Sequence, residues 1–375
     1  MAKIVFSLSG EGRGHATRVR TVVEALRCDH SIAILAPGDA YDFLAPLYAD
    51  TEIEVRRIPG MRFHYDARRR LDFSRTTRGA LTYLRDFPHL FKEIDTWLEK
   101  QQPDLAIVDF EPSLPRVAKR RGIPFVSLTH QHFLLTYDLK SLPFQLRAHV
   151  LYMRAVVRSY YSGQCHSIVS SFYFPSLRKG CRNVTQVGVL LRPEIREAVP
   201  TAEEHLVAYL RRFAGRNVMD ALAAAGRPVR VYGLGERPPE GRLTFHAVCE
   251  SRFVKDLASC AALVATAGNQ LVGEALFLGK PCFVMPEARN FEQYINAHFL
   301  ELSGSGASTE MEKVTPGALL RFLSKLETFA ARVDRRKMDG LPGVLHTLKP
   351  YLASRQPAAA LRPEPLPGLV PELSA

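Results

Sequence analysis

"TAGNQLVGEALFLGKPCFVMPEARNFEQYINAHFL" runs from Thr266 to Leu300, and its reading decides the fold. An apolar run ends at Gly268, a helix-period stretch "NQLVGEALFLGK" follows, and a second apolar run, "PCFVMP", closes at Pro286. Short apolar strands separated by helices read as a parallel sheet covered on both faces. A helix beginning just after Gly268 aims its free backbone N–H groups beyond the carboxyl end of the sheet, where a diphosphate would be held. Glu274 lies on that helix, past its first turn, where a carboxylate can accept two hydrogen bonds from a ribose diol. The loop after Pro286 carries Asn290, Glu292 and Gln293, polar groups suited to sugar hydroxyls.

The same alternation fills most of the chain. Upstream come "KIVFSL", a helix through "ATRVRTVVEAL", "SIAILA", "LAIVDF", a helix through "SLPRVAKRRG", and "PFVSLTH". Prolines and charges interrupt the pattern between Val187 and Glu204, after which "HLVAYL", "VRVYGLG", "ALVATAG" and "PCFVMP" restart it. The 375 residues suit two domains. The expected fold class is α/β, with two doubly wound Rossmann-like domains, 1–187 and 188–350, facing each other across a cleft. Ligands in such sheets bind outside the carboxyl ends of the strands. The proline-rich segment 351–375 reads as a disordered tail.

Composition is that of an ordinary globular protein, 46% hydrophobic and 23% charged. "MAKIVFSLSG" lacks the features of a secretory signal, and no run approaches the roughly 18 apolar residues of a spanning helix. The six cysteines show no C-x-x-C spacing, so a reduced, cytoplasmic protein without a zinc site is expected. A net charge of +12 favours an anionic partner: nucleic acid, a membrane surface or a phosphorylated small molecule. No nucleic-acid-binding module accompanies the charge, which argues against the first.

A second glycine turn, "FSLSGEGRGHATR" from Phe6 to Arg18, follows the first strand. It contains no lysine, so it is not a Walker A loop, and His15 breaks the dinucleotide fingerprint. Gly10, Gly12 and Gly14 let the backbone approach a substrate closely. A histidine there is either a solvent-facing loop residue or a group placed for chemistry.

Gly268, Glu274, the "GKP" of Gly279 to Pro281, Pro286, Glu292 with Gln293, and Asn296 resemble the donor-site signature of GT-B glycosyltransferases. The chain is similar above all to bacterial and archaeal relatives of the murein-precursor N-acetylglucosaminyltransferase and of the UDP-glycosyltransferases. "GEGRGHATR", "VDFEPSLPRVAKRRGIP" and "VGVLLRPEI" share this likeness, which spans roughly Met1 to Ala307. The resemblance implies a metal-independent, inverting transfer of a sugar from a nucleotide-sugar, a UDP-sugar, to an acceptor hydroxyl. It implies Gly268, Asn269, Gln270, Glu274, Glu292, Gln293 and Arg211 on the donor side. His15 would be the general base, with Asp109 orienting it, and Gly12, Gly14, Glu111 and His130 would face the acceptor. The nucleotide-sugar is a co-substrate and no cofactor is implied. No D-x-D motif occurs, so the leaving group would rely on helix N–H groups and arginine.

Two departures stand out: Thr266 replaces a histidine common in plant relatives, and "RRFAGRN", Arg211 to Asn217, replaces a glycine-rich phosphate loop. The acceptor is expected to be lipid-linked or anionic. Arginines are dense between Arg56 and Arg85, and "LPFQLRAHVLYMRAVVRSYY" places Arg147, Arg154 and Arg158 near Val150 and Leu151, a pattern suited to peripheral contact with the inner face of a membrane. These features suggest a cell-envelope role. Two alternatives stay open: a non-hydrolysing nucleotide-sugar epimerase and a non-catalytic basic binding protein.

Overall fold

The computed structural model describes residues 1–10, 13–60, 73–160, 162–211 and 214–353. In the first half the elements are β1 (Lys3–Leu8), α1 (Arg13–Leu26), β2 (Ser31–Ala36), α2 (Gly38–Leu47), β3 (Glu54–Arg57), α3 (Phe73–Gln101) and β4 (Leu105–Asp109). They continue with α4 (Ser113–Arg121), β5 (Phe125–Thr129), α5 (Phe133–Thr136), α6 (Phe144–Tyr160), β6 (His166–Ser170) and β7 (Val184–Val187). A short helix, α7 (Pro193–Glu197), lies in the connection.

The second half contains β8 (Leu206–Tyr209), α8 (Arg216–Ala223), β9 (Val229–Tyr232), β10 (Leu243–His246), α9 (Glu250–Ser259), β11 (Ala262–Ala265) and α10 (Asn269–Phe277). It closes with β12 (Cys282–Val284), α11 (Phe291–Ser303), β13 (Gly306–Ser308), α12 (Pro316–Leu323), α13 (Leu326–Ala330) and α14 (Leu341–Ala353).

The strands form two parallel sheets, ordered β3-β2-β1-β4-β5-β6-β7 and β10-β9-β8-β11-β12-β13. β4 and β5 are buried at every position, as strands covered on both faces must be. In each sheet the strand order reverses once, beside β1 in the first and beside β8 in the second. Crevices open at such switch points because the flanking crossover helices depart on opposite faces. The register pairs Leu8 with Asp109 and Ala265 with Tyr209, so the ends of β4 and β11 border those crevices. This is the doubly wound architecture expected from the sequence.

Two features differ from the expected division into 1–187 and 188–350. First, α14 returns to the first sheet, burying Leu341, Val344, Leu348 and Tyr351 in the cluster that holds Ile4, Val19 and Ile107. The chain therefore crosses the junction twice, and residues 351–353 belong to a helix rather than a tail; 354–375 lie outside the described residues. Where the two crossings meet, a Cβ on Gly340 would stand 2.1 Å from the Gly188 carbonyl oxygen, an approach only glycine permits. Second, one apolar cluster joins both halves: Phe133, Phe172 and Tyr173 pack with Leu263, Val272 and Phe299. The rings of Tyr173 and Phe299 stack 4.3 Å apart across the junction.

Candidate active site

His15 stands in the first turn of α1, the helix that follows β1. Because β4 is the neighbour of β1, Asp109 at its carboxyl end comes to the same edge, with the Ser9 N–H bonded to the Asp109 carbonyl oxygen at 2.9 Å. The result is a contact of 2.9 Å between His15 Nδ1 and Asp109 Oδ2. Arg18, one helical turn on, donates Nη1 to both carboxylate oxygens at 2.8 and 2.7 Å. Burial raises the cost of charge on Asp109, but Arg18 and then His15 outweigh it and hold the carboxyl below its usual range. The expected His15–Asp109 pair is thus assembled in space, and Arg18, which the sequence did not single out, completes it.

The chain turns sharply after Asp109. Phe110 adopts a left-handed φ of 54° and its ring stacks on Tyr160 at 4.2 Å. Glu111 then meets the start of α4: Ser113 donates its N–H and Oγ–H to Oε1 at 2.7 and 2.5 Å, and the Leu114 N–H reaches Oε2 at 2.9 Å. Those orphan donors open α4, so the Glu111 carboxylate caps a helix. Burial pushes its pKa up in spite of these bonds. Glu111, expected on the acceptor side, is thus bonded to the start of α4.

His130, the other side chain expected on the acceptor side, is likewise engaged by its neighbours. It is buried at the junction, Nδ1 3.1 Å from the Ser170 carbonyl oxygen and Nε2 3.2 Å from Asn296 Oδ1 on α11. Tyr173 donates to the same Oδ1 at 3.0 Å, and Asn296 donates to the Ala267 carbonyl oxygen at 2.9 Å. Burial lowers the His130 pKa, against the pull of Glu292. This histidine ties the two sheets together. Of the glycines expected beside the acceptor, Gly12 lies outside the described residues. Gly14 faces α10, where its added Cβ would come 3.9 Å from Gln270 Cβ. The start of α1 therefore lies against the start of α10.

On the donor side Gly268 is the N-cap of α10 and has no side-chain cap, so the backbone N–H groups at that end are not claimed by one. Asn269 is buried and donates to the Ser170 carbonyl oxygen at 3.2 Å, joining the His130 network. Gln270 donates Nε2 to the Leu190 carbonyl oxygen at 2.8 Å and to Glu274 Oε1 at 3.1 Å. Glu274 is buried and held by Arg192, which donates Nε to Oε1 at 3.1 Å and Nη2 to Oε2 at 2.7 Å. Arg192 also reaches Glu250 Oε1 at 2.9 Å, and Arg20 approaches that oxygen at 3.5 Å. Although burial opposes it, Glu274 and Glu250 together raise the Arg192 pKa.

The loop after β12 holds the remaining donor candidates. Gln293 accepts from the Glu287 N–H and donates to Glu287 Oε2, both at 2.8 Å. Arg211, half exposed at the end of β8, lies 3.3 Å from the same Oε2. Glu292 accepts from Gln131 at 3.3 Å, so the sugar-loop candidate already touches the first sheet's side. Beyond the ends of β8, β9 and β10 a cavity of 570 Å³ opens, lined by Ala214, Gly233, Leu234, Arg237 and Val248 among others. Among the described residues no group of three or more His, Cys, Asp or Glu is arranged to hold a metal ion.

The model of glycosyl transferase family 1 matches residues 2–327. A comparison with curated protein sequences found no match. Among solved structures, the calicheamicin glycosyltransferase CalG4 is 17% identical with a TM-score of 0.65, covering 94% of this chain and 98% of its own. A spinosyn rhamnosyltransferase complexed with thymidine diphosphate is 15% identical with a TM-score of 0.62, covering 93% and 100%. A glycosyltransferase named VinC, in complex with dTDP, is 15% identical with a TM-score of 0.59, covering 92% and 98%. At such identities these likenesses concern the fold, and they lie with natural-product glycosyltransferases rather than with murein-precursor enzymes in particular. With the family model matching residues 2–327, the chain belongs to glycosyl transferase family 1, and its two doubly wound parallel sheets have the GT-B architecture of the similar folds.

Proposed function

We propose that the protein is an inverting, metal-independent transferase in which His15 is the general base and Asp109 its orienting partner. The observation that carries this reading is the 2.9 Å contact between His15 Nδ1 and Asp109 Oδ2 at the switch point of the first sheet. With Nδ1–H donated to the carboxylate, Nε2 keeps its lone pair. Nε2 takes the acceptor hydroxyl proton as that oxygen bonds to the anomeric carbon. The bond from that carbon to the diphosphate breaks, and its electron pair leaves with the diphosphate. Attack opposite the leaving group inverts the configuration. The start of α10 and Arg211 would receive the diphosphate charge, Glu274 the nucleoside sugar, and Glu292 with Gln293 the transferred sugar.

The donor we favour is a pyrimidine nucleoside diphosphate sugar. The motif resemblance supports UDP, and two of the similar folds carry thymidine diphosphate in their own structures. A thermal-shift series with UDP, UDP-N-acetylglucosamine, dTDP and GDP tests this, because a ligand of the native state raises its stability by mass action. A rise with the pyrimidine diphosphates is expected; no rise with any of them would count against the donor assignment.

For the acceptor we favour a lipid-linked or anionic hydroxyl compound met at the cytoplasmic face of the membrane. The support is α6: Phe144, Leu151 and Tyr152 are exposed at 76%, 67% and 62%, Arg147 and Arg158 share that exposed face, and the helix contains no acidic residue. The arginines at 62, 68, 69 and 70 that would extend the charge lie outside the described residues. No helix among the described residues is long and apolar enough to cross a membrane. Sedimentation with anionic vesicles, weakening as salt rises, is the expected result. Absence of binding at low salt would point to a freely soluble acceptor.

A further inference from the structure

The geometry points to Arg192 as the residue that sets how the donor's nucleoside sugar is read, by occupying all but one of the hydrogen-bonding positions of the Glu274 carboxylate. The inference rests on the proposal that Glu274 receives the nucleoside sugar. A carboxylate offers about four acceptor positions, two on each oxygen. Glu274 Oε1 already accepts from Arg192 Nε at 3.1 Å and from Gln270 Nε2 at 3.1 Å, and Oε2 accepts from Arg192 Nη2 at 2.7 Å. Among the described residues one position on Oε2 is left. A ribose diol needs two.

The occupation is built in. The guanidinium meets the carboxylate with two parallel N–H donors, the fork geometry that makes such pairs directional. Glu250 Oε1 accepts from the other amino group at 2.9 Å, and that oxygen is itself approached by Arg20. The Gln270 amide is oriented by its two neighbours, since both the Leu190 carbonyl oxygen and Glu274 Oε1 are acceptors and each must face the NH₂ end. Arg192 belongs to the connection between the sheets, and its following residue, Pro193, fixes the start of α7. The arginine is therefore supported from both sides. A carboxylate with a single open position serves one hydroxyl, and ribose and 2′-deoxyribose each supply one. The protein is then indifferent to the 2′ hydroxyl and accepts ribo- and deoxyribonucleoside diphosphate sugars alike.

UDP and dUDP share base and diphosphate and differ only in that hydroxyl, so their affinities isolate the effect. Calorimetric titration of the unaltered protein should give dissociation constants within about threefold of each other, a small difference on the scale of one charge-assisted hydrogen bond. In Arg192→Lys, which keeps the positive charge but offers a point donor in place of the fork, the ratio should move to about tenfold or more in favour of UDP. Gln270→Leu, which frees a position on Oε1 without touching the ion pair, should move it the same way. A tenfold preference for UDP in the unaltered protein would overturn the inference, as would an unchanged ratio in a folded variant. Binding of neither nucleotide would instead overturn the donor-site reading on which it stands.

Discussion

His15 Nδ1 and Asp109 Oδ2 lie 2.9 Å apart, and Arg18 bonds both oxygens of the same carboxylate. Such an arrangement fixes the imidazole ring and keeps the aspartate ionised, so removing either member should act on the same step. His15→Ala and Asp109→Asn are expected to lower turnover by about 10²–10⁴-fold, the usual contribution of positioned proton transfer. Donor affinity, measured by titration with UDP, should stay near normal in His15→Ala. Full turnover at saturating donor would remove His15 from the base role.

Glu274 and Arg192 form a largely buried pair, with side chains 2% and 15% exposed. Removing Glu274 leaves the guanidinium with Glu250 as its remaining carboxylate partner and two of its donors unmet, a loss of about 1–3 kcal/mol. Glu274→Ala should therefore lower the urea midpoint as well as weaken nucleotide binding. A variant with native stability and weak binding would show that Arg192 finds full solvation when the carboxylate is absent.

Gln293 is bonded in both directions to Glu287, whose carboxylate also faces Arg211. Gln293→Ala should loosen this loop and weaken a UDP-sugar more than free UDP. Comparing the two dissociation constants checks the assignment; equal losses would contradict a sugar contact.

His132 is buried between β5 and β6, its Nδ1 3.2 Å from both Ser127 Oγ and Ser167 Oγ. Burial lowers its pKa from 6.5 to about 4. An unfolded chain takes up the proton near 6.5, whereas the folded protein resists it down to about 4. Stability is therefore complete above that upper value and is lost as the pH falls through this window, by about 3 kcal/mol in all. Melting temperature should decline between pH 6.5 and 4, and His132→Asn should flatten the decline. An unchanged slope in the variant would assign the acid sensitivity to other groups.

Gly188 and Gly340 carry the two crossings of the domain junction, and the Gly340 N–H bonds the Val189 carbonyl oxygen at 2.9 Å. A methyl group at position 340 would lie 2.1 Å from the Gly188 oxygen. Gly340→Ala should cost about 1–3 kcal/mol through forced backbone displacement. Chemical denaturation measures it, and an effect below about 0.5 kcal/mol would mean the crossing yields easily.

Much of this molecule is legible in its residues. Apolar runs identify β1, β2, β4, β5, β8, β9, β11 and β12, because strands covered on both faces must be continuously apolar. The rule passes over β6, "HSIVS", and β10, "LTFH", whose polar members find partners only in the folded state: His166 Nε2 lies 2.8 Å from Thr185 Oγ1, and the Ser170 hydroxyl donates to the Gly188 carbonyl oxygen. Glu111 illustrates the opposite difficulty. Beside Asp109 at the end of a strand it looks equally suited to a substrate, and only the turn at Phe110 aims it at α4.

The local order of strand, glycine turn and helix is a property of the sequence, since hydrophobic period and glycine placement act over a few residues. It was enough to imply two doubly wound sheets and to single out Gly268 and Glu274, while the roles expected of His15 and Asp109 came from the family resemblance. What folding alone decided are the partnerships: Arg18 with Asp109, Arg192 with Glu274, His130 with Asn296, and α14 with the first sheet. "VGVLLRPEI" contains Arg192, yet nothing within it says which carboxylate that arginine meets. Arg192 and Glu274 are 82 positions apart, and their contact exists because the link from β7 passes the start of α10. Charge and hydrogen-bonding capacity are written residue by residue, but which group spends them on which depends on distances that only the packed chain sets.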